Sequence, residues 1–318
     1  MVRAAAVSPG RGPGSARPSR GARLLAQETD RTVGGWGMAE TALVLGGGGL
    51  TGIGWEAGVL AGLAEAGADP GAADVVIGTS AGSVVGAQLT SGSVTPEQLY
   101  ERQLVDPRGE VAGRVGPAVM SRYALAALRS RDTRAFGRRM GRLALATRTA
   151  AGEADRRAVI GRRLLSHAWP ERRLLITAVD AATGEFRVFD AASGVGIVDA
   201  VAASCAVPGV WPPVPIGGRH WIDGGVRSSA NADVADGCRR VLILAPMAGG
   251  GGPVPTVRAQ AERLAAAGAR VELITPDRAA RAAFGRNPLD PARRAAAARA
   301  GRAQAAAHAA AVKALWQE

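Results

Sequence analysis

Short aliphatic runs alternate along this chain with longer stretches of helical periodicity. Ala42–Leu45 and Asp74–Ile77 are brief apolar runs of the kind a buried strand makes. The first is followed by Ile53–Ala66, which puts Ile53, Ala57, Leu60 and Leu63/Ala64 on one face of a helix, with Gly67 as its stop. The second is followed by a helical stretch, Ala81–Leu89. Strand, helix, strand, helix predicts an α/β fold: a mostly parallel sheet covered on both faces. From Thr95 to Ala168 the pattern is helical, broken near Pro107, Pro117 and Gly152, and this predicts a helical insertion or cap over 95–168. Arg173–Asp190 reads as two strands joined through Ala182-Thr183-Gly184. A short helix is expected at Ile197–Cys205, and a strand end at His220-Trp221-Ile222 running into Asp223-Gly224-Gly225. Val241–Ala245 and Val271–Thr275 read as buried strands around a helix at Thr256–Ala267, and the chain closes with an Ala/Arg helix from Pro291 to Trp316. Residues 1–37, rich in Arg, Pro, Gly and Ser without periodicity, are expected to form a disordered tail ahead of one folded domain over 38–318. Met38-Ala-Glu-Thr makes a natural start, so the tail reads either as a start-site artefact or as a mobile arm.

Charge sharpens the picture of the insertion. The net charge is +12, almost all of it arginine, since Lys313 is the one lysine. Between Glu101 and Arg173 there are 17 Arg against 7 acidic residues. That stretch suits either peripheral contact with an anionic membrane surface or a solvated helical face written in arginine. Nucleic acid fits poorly, because no finger, helix-turn-helix or RNP-like motif accompanies the charge. No apolar run reaches the ~20 residues of a membrane-spanning helix, and the N-terminus lacks an export-signal layout, so a cytoplasmic protein is expected. Cys205 and Cys238 do not make a disulfide framework and read as reduced thiols.

Two glycine-rich turns about thirty residues apart carry the candidate chemistry. The second, Val-Val-Ile-Gly-Thr-Ser-Ala-Gly-Ser over 75–83, sets Ser80 inside G-x-S-x-G between a strand and a helix, the pattern of a serine nucleophile on a tight turn. A Cβ at Gly78 or Gly82 would clash with the opposite arm of that turn, and the helix starting after Ser80 favours negative charge at the reacting centre. The first turn, Gly46–Gly49, offers backbone N–H groups at Gly47, Gly48 and Gly49 as an oxyanion hole. It has a rival reading, since Gly47-Gly48-Gly49-Leu50-Thr51-Gly52 fits the dinucleotide fingerprint G-x-G-x-x-G. That fold wants an acidic residue ending the second strand, where this chain has Gly-Thr-Ser. Ser80 needs a base. His167 closes the helical insertion, His220 lies on a strand, and His308, alone in the chain order of an α/β-hydrolase, sits in an alanine-rich helix. None has the loop setting of a triad histidine. The other option is a carboxylate: Asp223 opens an Asp-Gly-Gly turn whose glycines let a neighbouring backbone come close.

The combination of G-G-G-G-L-T-G (46–52), G-T-S-A-G (78–82), A-A-S-C-A-V-P-G-V-W-P-P-V (202–214) and D-G-G-V-R-S-S-A-N (223–231) resembles the bacterial patatin-like phospholipases, with order and spacing matching from about Thr41 to Val241. The resemblance implies a three-layer α/β/α fold and hydrolysis of lipid or small acyl esters without metal or cofactor. It implies a Ser–Asp dyad of Ser80 and Asp223 and an oxyanion loop at Gly47–Gly49. One departure matters: the family's glycine loop carries Arg or Lys where Thr51 stands, which bears on phospholipid as the substrate more than on ester hydrolysis. Trp55 is expected to narrow the site. Beside the hydrolase, a dinucleotide-binding oxidoreductase and a catalytically quiet lipid-binding relative remain as alternatives.

Overall fold

The computed structural model describes residues 39–105, 110, 112–148 and 152–317. The expected tail, 1–37, lies outside them. Eight strands make one mixed, mostly parallel sheet flanked by helices, the α/β/α architecture expected from the alternation of elements. The parallel heart consists of β1 (Thr41–Leu45), β2 (Val75–Gly78), the start of β3 (Arg173–Asp180), β7 (Arg240–Leu244) and β8 (Arg270–Ile274). Strand periodicity turns alternate residues to one face, and the register lines up Leu242, Leu43, Val76 and Leu174 as a row across four strands of the main core.

Around β3 the sheet turns antiparallel, through β4 (Phe186–Phe189) and β6 (Arg219–Asp223), with β5 (Val214–Ile216) outside β6. Ile176 pairs with Phe189 on one side and Gly78 on the other, while Ala178 pairs with Arg187 on one side and Asp223 on the other. β2 and β6 therefore share the edge of β3 opposite β4. β2 runs parallel to β3 and β6 antiparallel, so the two meet along that edge C-terminus to C-terminus. Strand β5 escapes a reading of periodicity because it is three residues long and centred on Pro215.

The helices mostly follow the sequence pattern. α1 (Gly49–Glu65) starts four residues earlier than its apolar face suggested, because Gly48 and Gly49 make the turn into it, Gly49 at φ +61°. α2 (Ala81–Thr90) follows Ser80, and α3 (Pro96–Leu104) opens with a Thr95/Gln98 capping box. The described part of the Arg-rich stretch continues as α4 (Pro117–Leu128), α5 (Thr133–Ala146) and α6 (Glu153–Arg163), with no strand. α5 buries Phe136, Met140 and Ala144, spaced four apart, against Val179, Ala181 and Ile222. α7 (Ile197–Ser204) and α8 (Val257–Ala266) lie where expected.

The expected single C-terminal helix is instead α10 (Arg294–Ala305) and α11 (Ala309–Gln317), preceded by α9 (Arg278–Phe284). The break has tertiary causes that alanine-rich propensity cannot report. Gln304 donates to Thr275 O (2.7 Å), and His308 Nδ1 lies 3.1 Å from Glu272 Oε1 on β8. α10 packs on α1 at backbone contact: a Cβ on Gly54, Gly58 or Gly62 would strike Arg294, Ala298, Arg302 or Ala305, and one on Gly301 would strike Trp55 O. Trp55 is fully buried here, donating Nε1–H to Gln304 Oε1 (3.0 Å) and meeting Phe284 edge-on. It belongs to this interface and does not narrow the site, because its side chain leaves α1 toward α10.

Candidate active site

The junction of β2 and β6 brings the two predicted site residues together. Asp223 pairs with Ala178, and Ser80 lies two residues beyond Gly78, which pairs with Ile176. Both therefore leave the edge of β3 at the same level. The Ser80 hydroxyl stands near enough to the Asp223 carboxylate to hold that carboxyl's pKa down. Ser80 holds φ +51°, ψ −113°, a left-handed setting that L residues rarely adopt and that must be sustained by its surroundings. A Cβ on Gly78 would meet the opposite arm of the turn, as the sequence implied, lying 2.6 Å from Ser83 Cα, whereas one on Gly82 would overlap Leu45 O at the end of β1. Ser80 N–H donates to Ser204 Oγ (2.9 Å), and Ser83 Oγ–H donates back to Ser80 O (2.6 Å).

Asp223 is buried, and Gly225 N–H donates to its Oδ1 (2.7 Å). Burial pushes its carboxyl up to about 6, against the opposing pull of the Ser80 hydroxyl, the Gly225 N–H and the Arg156 charge. The two glycines of Asp-Gly-Gly are not equally constrained, Gly224 being held against the Thr177 backbone. A Cβ on Gly224 would overlap Thr177 Oγ1, and one on Gly225 would crowd Asp223 Oδ1 at 2.9 Å.

A buried polar network ties the two turns to one another. Asn231, itself left-handed at φ +49°, donates Nδ2–H to Thr79 Oγ1 (3.1 Å), Gly224 O (3.1 Å) and Ser228 O (2.9 Å). Thr79 Oγ1 and Thr177 Oγ1 are 2.8 Å apart. Gln260 on α8 fixes the far side, donating to Ser228 Oγ (2.6 Å) and accepting from Ala232 N (2.8 Å). Neither Asn231 nor Ser204 stood out in the sequence as a site residue, although both lie inside motifs that did. An Asn closing the Asp-Gly-Gly loop was the available signal, since Asn tolerates left-handed backbone.

The glycine loop lies beside the serine: a Cβ on Gly47 would stand 3.4 Å from Ser80 Cβ. Gly47 N–H donates to Ser229 O (2.6 Å), whereas the N–H groups of Gly48 and Gly49 make no hydrogen bond among the described residues. Thr51 is buried, its N–H bonded to Pro288 O (3.1 Å) and its hydroxyl near Gly48 O and Pro288 O (3.3 and 3.4 Å). The cavity over Ser80 is lined by Gly49, Leu50, Ile53, Cys205, Trp211 and Leu289, with Arg156 and Arg163 reaching in from α6. It holds about 20 Å³, close to the volume of a single water.

None of the three imidazoles is bonded to Ser80. His167 Nε2 lies 2.9 Å from Gly161 O, His308 is paired with Glu272, and His220 is exposed on β6. Among the described residues, no group of three or more His, Cys, Asp or Glu side chains is gathered where it would hold a metal.

A family model described as patatin-like phospholipase matches residues 43–236. The solved structure of VipD from Legionella pneumophila is similar at 12% identity and a TM-score of 0.42, over 86% of this chain and 67% of that one. That of the type III effector protein ExoU is similar at 17% identity and a TM-score of 0.38, over 87% of this chain and 54% of that one, so this chain spans about half of ExoU's length. None of the curated proteins compared with the chain matches it.

Proposed function

This chain belongs to the patatin-like phospholipase family, whose activity is lipid acyl hydrolysis, and from that premise we propose that it cleaves acyl esters through a Ser80–Asp223 dyad. The observation that supports the dyad is the strand register that brings Ser80 and the buried Asp223 carboxylate to the same level of β3, near enough for the hydroxyl to lower that carboxyl's pKa.

Asp223 accepts the Ser80 proton as Oγ attacks the ester carbonyl. The developing oxyanion is received by backbone N–H groups of the Gly47–Gly49 loop, chiefly those of Gly48 and Gly49, which carry no internal bond. Each such donor lowers the barrier by roughly 3 kcal/mol in serine hydrolases. Collapse of the tetrahedral intermediate breaks the carbon–oxygen bond to the alcohol, which leaves with the proton from Asp223. Water then attacks the acyl-serine, Asp223 takes its proton, and the carboxylic acid departs as Ser80 regains its hydrogen. A carboxyl raised to about 6 suits this work, being ionised at neutral pH yet a stronger base than an exposed aspartate.

The helices described within residues 95–168 are read as a cap that shifts to admit an acyl chain. α4 packs on the loop that lines the site, Tyr123 OH donating to Pro208 O (2.8 Å). It exposes Met120 (53%), Leu125 (46%) and Leu128 (86%) beside Arg122 and Arg129. This mix of apolar and cationic side chains suits peripheral contact with an anionic lipid surface. Among the described residues no helix is long and apolar enough to cross a membrane.

The test is covalent. A fluorophosphonate probe is expected to label Ser80, with no label on S80A, and a p-nitrophenyl ester chain-length series is expected to turn over in wild type alone. Full activity in D223N would end the dyad reading.

A further inference from the structure

Arg156 and Arg163 stand two turns apart on one face of α6, and both border the cavity that holds Ser80. Their situations differ. Arg163 is fully engaged, its Nε 3.0 Å from Glu110 Oε1 and its Nη2 bonded to Oε2 of the same carboxylate, which Arg294 also approaches at 3.6 Å. Arg156 is 5% exposed and makes no hydrogen bond or ion pair with any described residue. Its Nε and Nη1 are closed off from solvent with nothing to donate to, and its guanidinium lies over the Trp211 ring, 4.2 Å from the centroid.

A guanidinium carries five N–H donors in one plane. Stacking on an aromatic ring satisfies its charge from one face but none of the donors along its edge. Asp223 is near enough to feel the Arg156 charge, yet no ion pair joins them. Glu110 is already shared by two other arginines. The described residues thus hold a buried cation with an open fork at the wall of a serine site and supply no hydrogen-bond or ion-pair partner for it. A planar fork of this kind matches an anion that presents two oxygens side by side.

On the facing wall Thr51 directs its N–H and hydroxyl at Pro288 O and Gly48 O, so the glycine loop contributes no cation. In an acyl ester of a lipid, the oxyanion that lies close to the scissile carbonyl is a phosphodiester on the alcohol portion. We propose that Arg156 is the specificity residue for that phosphoryl group, so that lysophospholipids and phospholipids are preferred over neutral acylglycerols. The proposal rests on the Ser80–Asp223 reading above.

The experiment compares a lysophosphatidylcholine with the monoacylglycerol of the same acyl chain, both below their micellar concentrations, on wild type, R156Q and R156K. Wild type is expected to favour the lysophospholipid at least tenfold in kcat/KM. R156Q is expected to reduce that ratio at least tenfold, mainly through KM, and R156K to recover part of it. A wild-type ratio of one or less, or an R156Q variant that slows both substrates equally, overturns the assignment. Should R156Q lack a cooperative melting transition, wild type decides alone: glycerophosphocholine is expected to inhibit monoacylglycerol hydrolysis competitively, and its failure to do so overturns the proposal. Inhibition by inorganic phosphate but not by glycerophosphocholine would mark a free-phosphate site and likewise overturn the headgroup assignment. Wild type that cleaves neither substrate and escapes the fluorophosphonate probe would instead sink the hydrolase reading itself.

Discussion

The floor and the roof of the site are built on opposite terms. In the floor, Thr79, Thr177, Asn231, Ser228 and Gln260 are joined by hydrogen bonds behind Ser80 and Asp223, and the glycines between them leave no room for a Cβ. In the roof, α6 holds one arginine bonded to a carboxylate and one bonded to nothing in the described chain, and α4 leaves leucines in water. A saturated network can present only one geometry, which is what a reaction needs. An unsaturated wall takes its missing partners from whatever arrives, which is what selection needs.

The comparison breaks first at the floor. S80A is expected to lower kcat for any ester by about 10⁴- to 10⁶-fold with the melting temperature little changed, checked by ester turnover and calorimetry. D223N is expected to cost about 10³- to 10⁴-fold. G48A should cost about 10²- to 10³-fold, because its Cβ would lie 2.5 Å from Pro246 Cβ and push the loop off its position, checked by kcat on a p-nitrophenyl ester.

D223N also tests what the floor costs the fold. The native carboxyl titrates near 6, above its unfolded value of 3.8, so the folded state holds the proton more tightly. Below pH 3.8 this has no effect on stability. As pH rises to 6 and beyond, ionising a buried carboxylate removes about 3 kcal/mol from wild type and nothing from the amide. The stability of D223N relative to wild type is therefore expected to grow between pH 4 and 7, measured by denaturant melts across that range. The smallest effect links floor to roof: R156Q removes a cation that favours ionised Asp223, so the acid limb of kcat/KM, near pH 6 in wild type, should move upward by a fraction of a unit.

The same division decided what could be read beforehand. Ser80, Gly78, Gly82 and the Asp-Gly-Gly turn are local geometry, and local geometry leaves a signature in residue type and spacing. The head-on meeting of β2 and β6 follows from pairings between residues about a hundred and about forty-five positions apart, and no window of sequence displays it. Arg156 is one arginine among many in a basic stretch; only burial and the want of a partner set it apart. Trp55 was misplaced because helical periodicity gives a face but not the neighbour that covers it. The break between α10 and α11 went unseen for a related reason, since Gln304 and His308 are held by Thr275, just past the end of β8, and Glu272 within it.

The family match stops at residue 236, yet α1 is seated through Gly54, Gly58 and Gly62 on a helix that begins at Arg294. A polypeptide trimmed to the matched region would strip the glycine seam of its mate and bare Trp55 to water. The glycine loop, which opens that same helix, would lose its mooring, so the folded unit that carries the proposed site extends some sixty residues or more past the homology that identifies it.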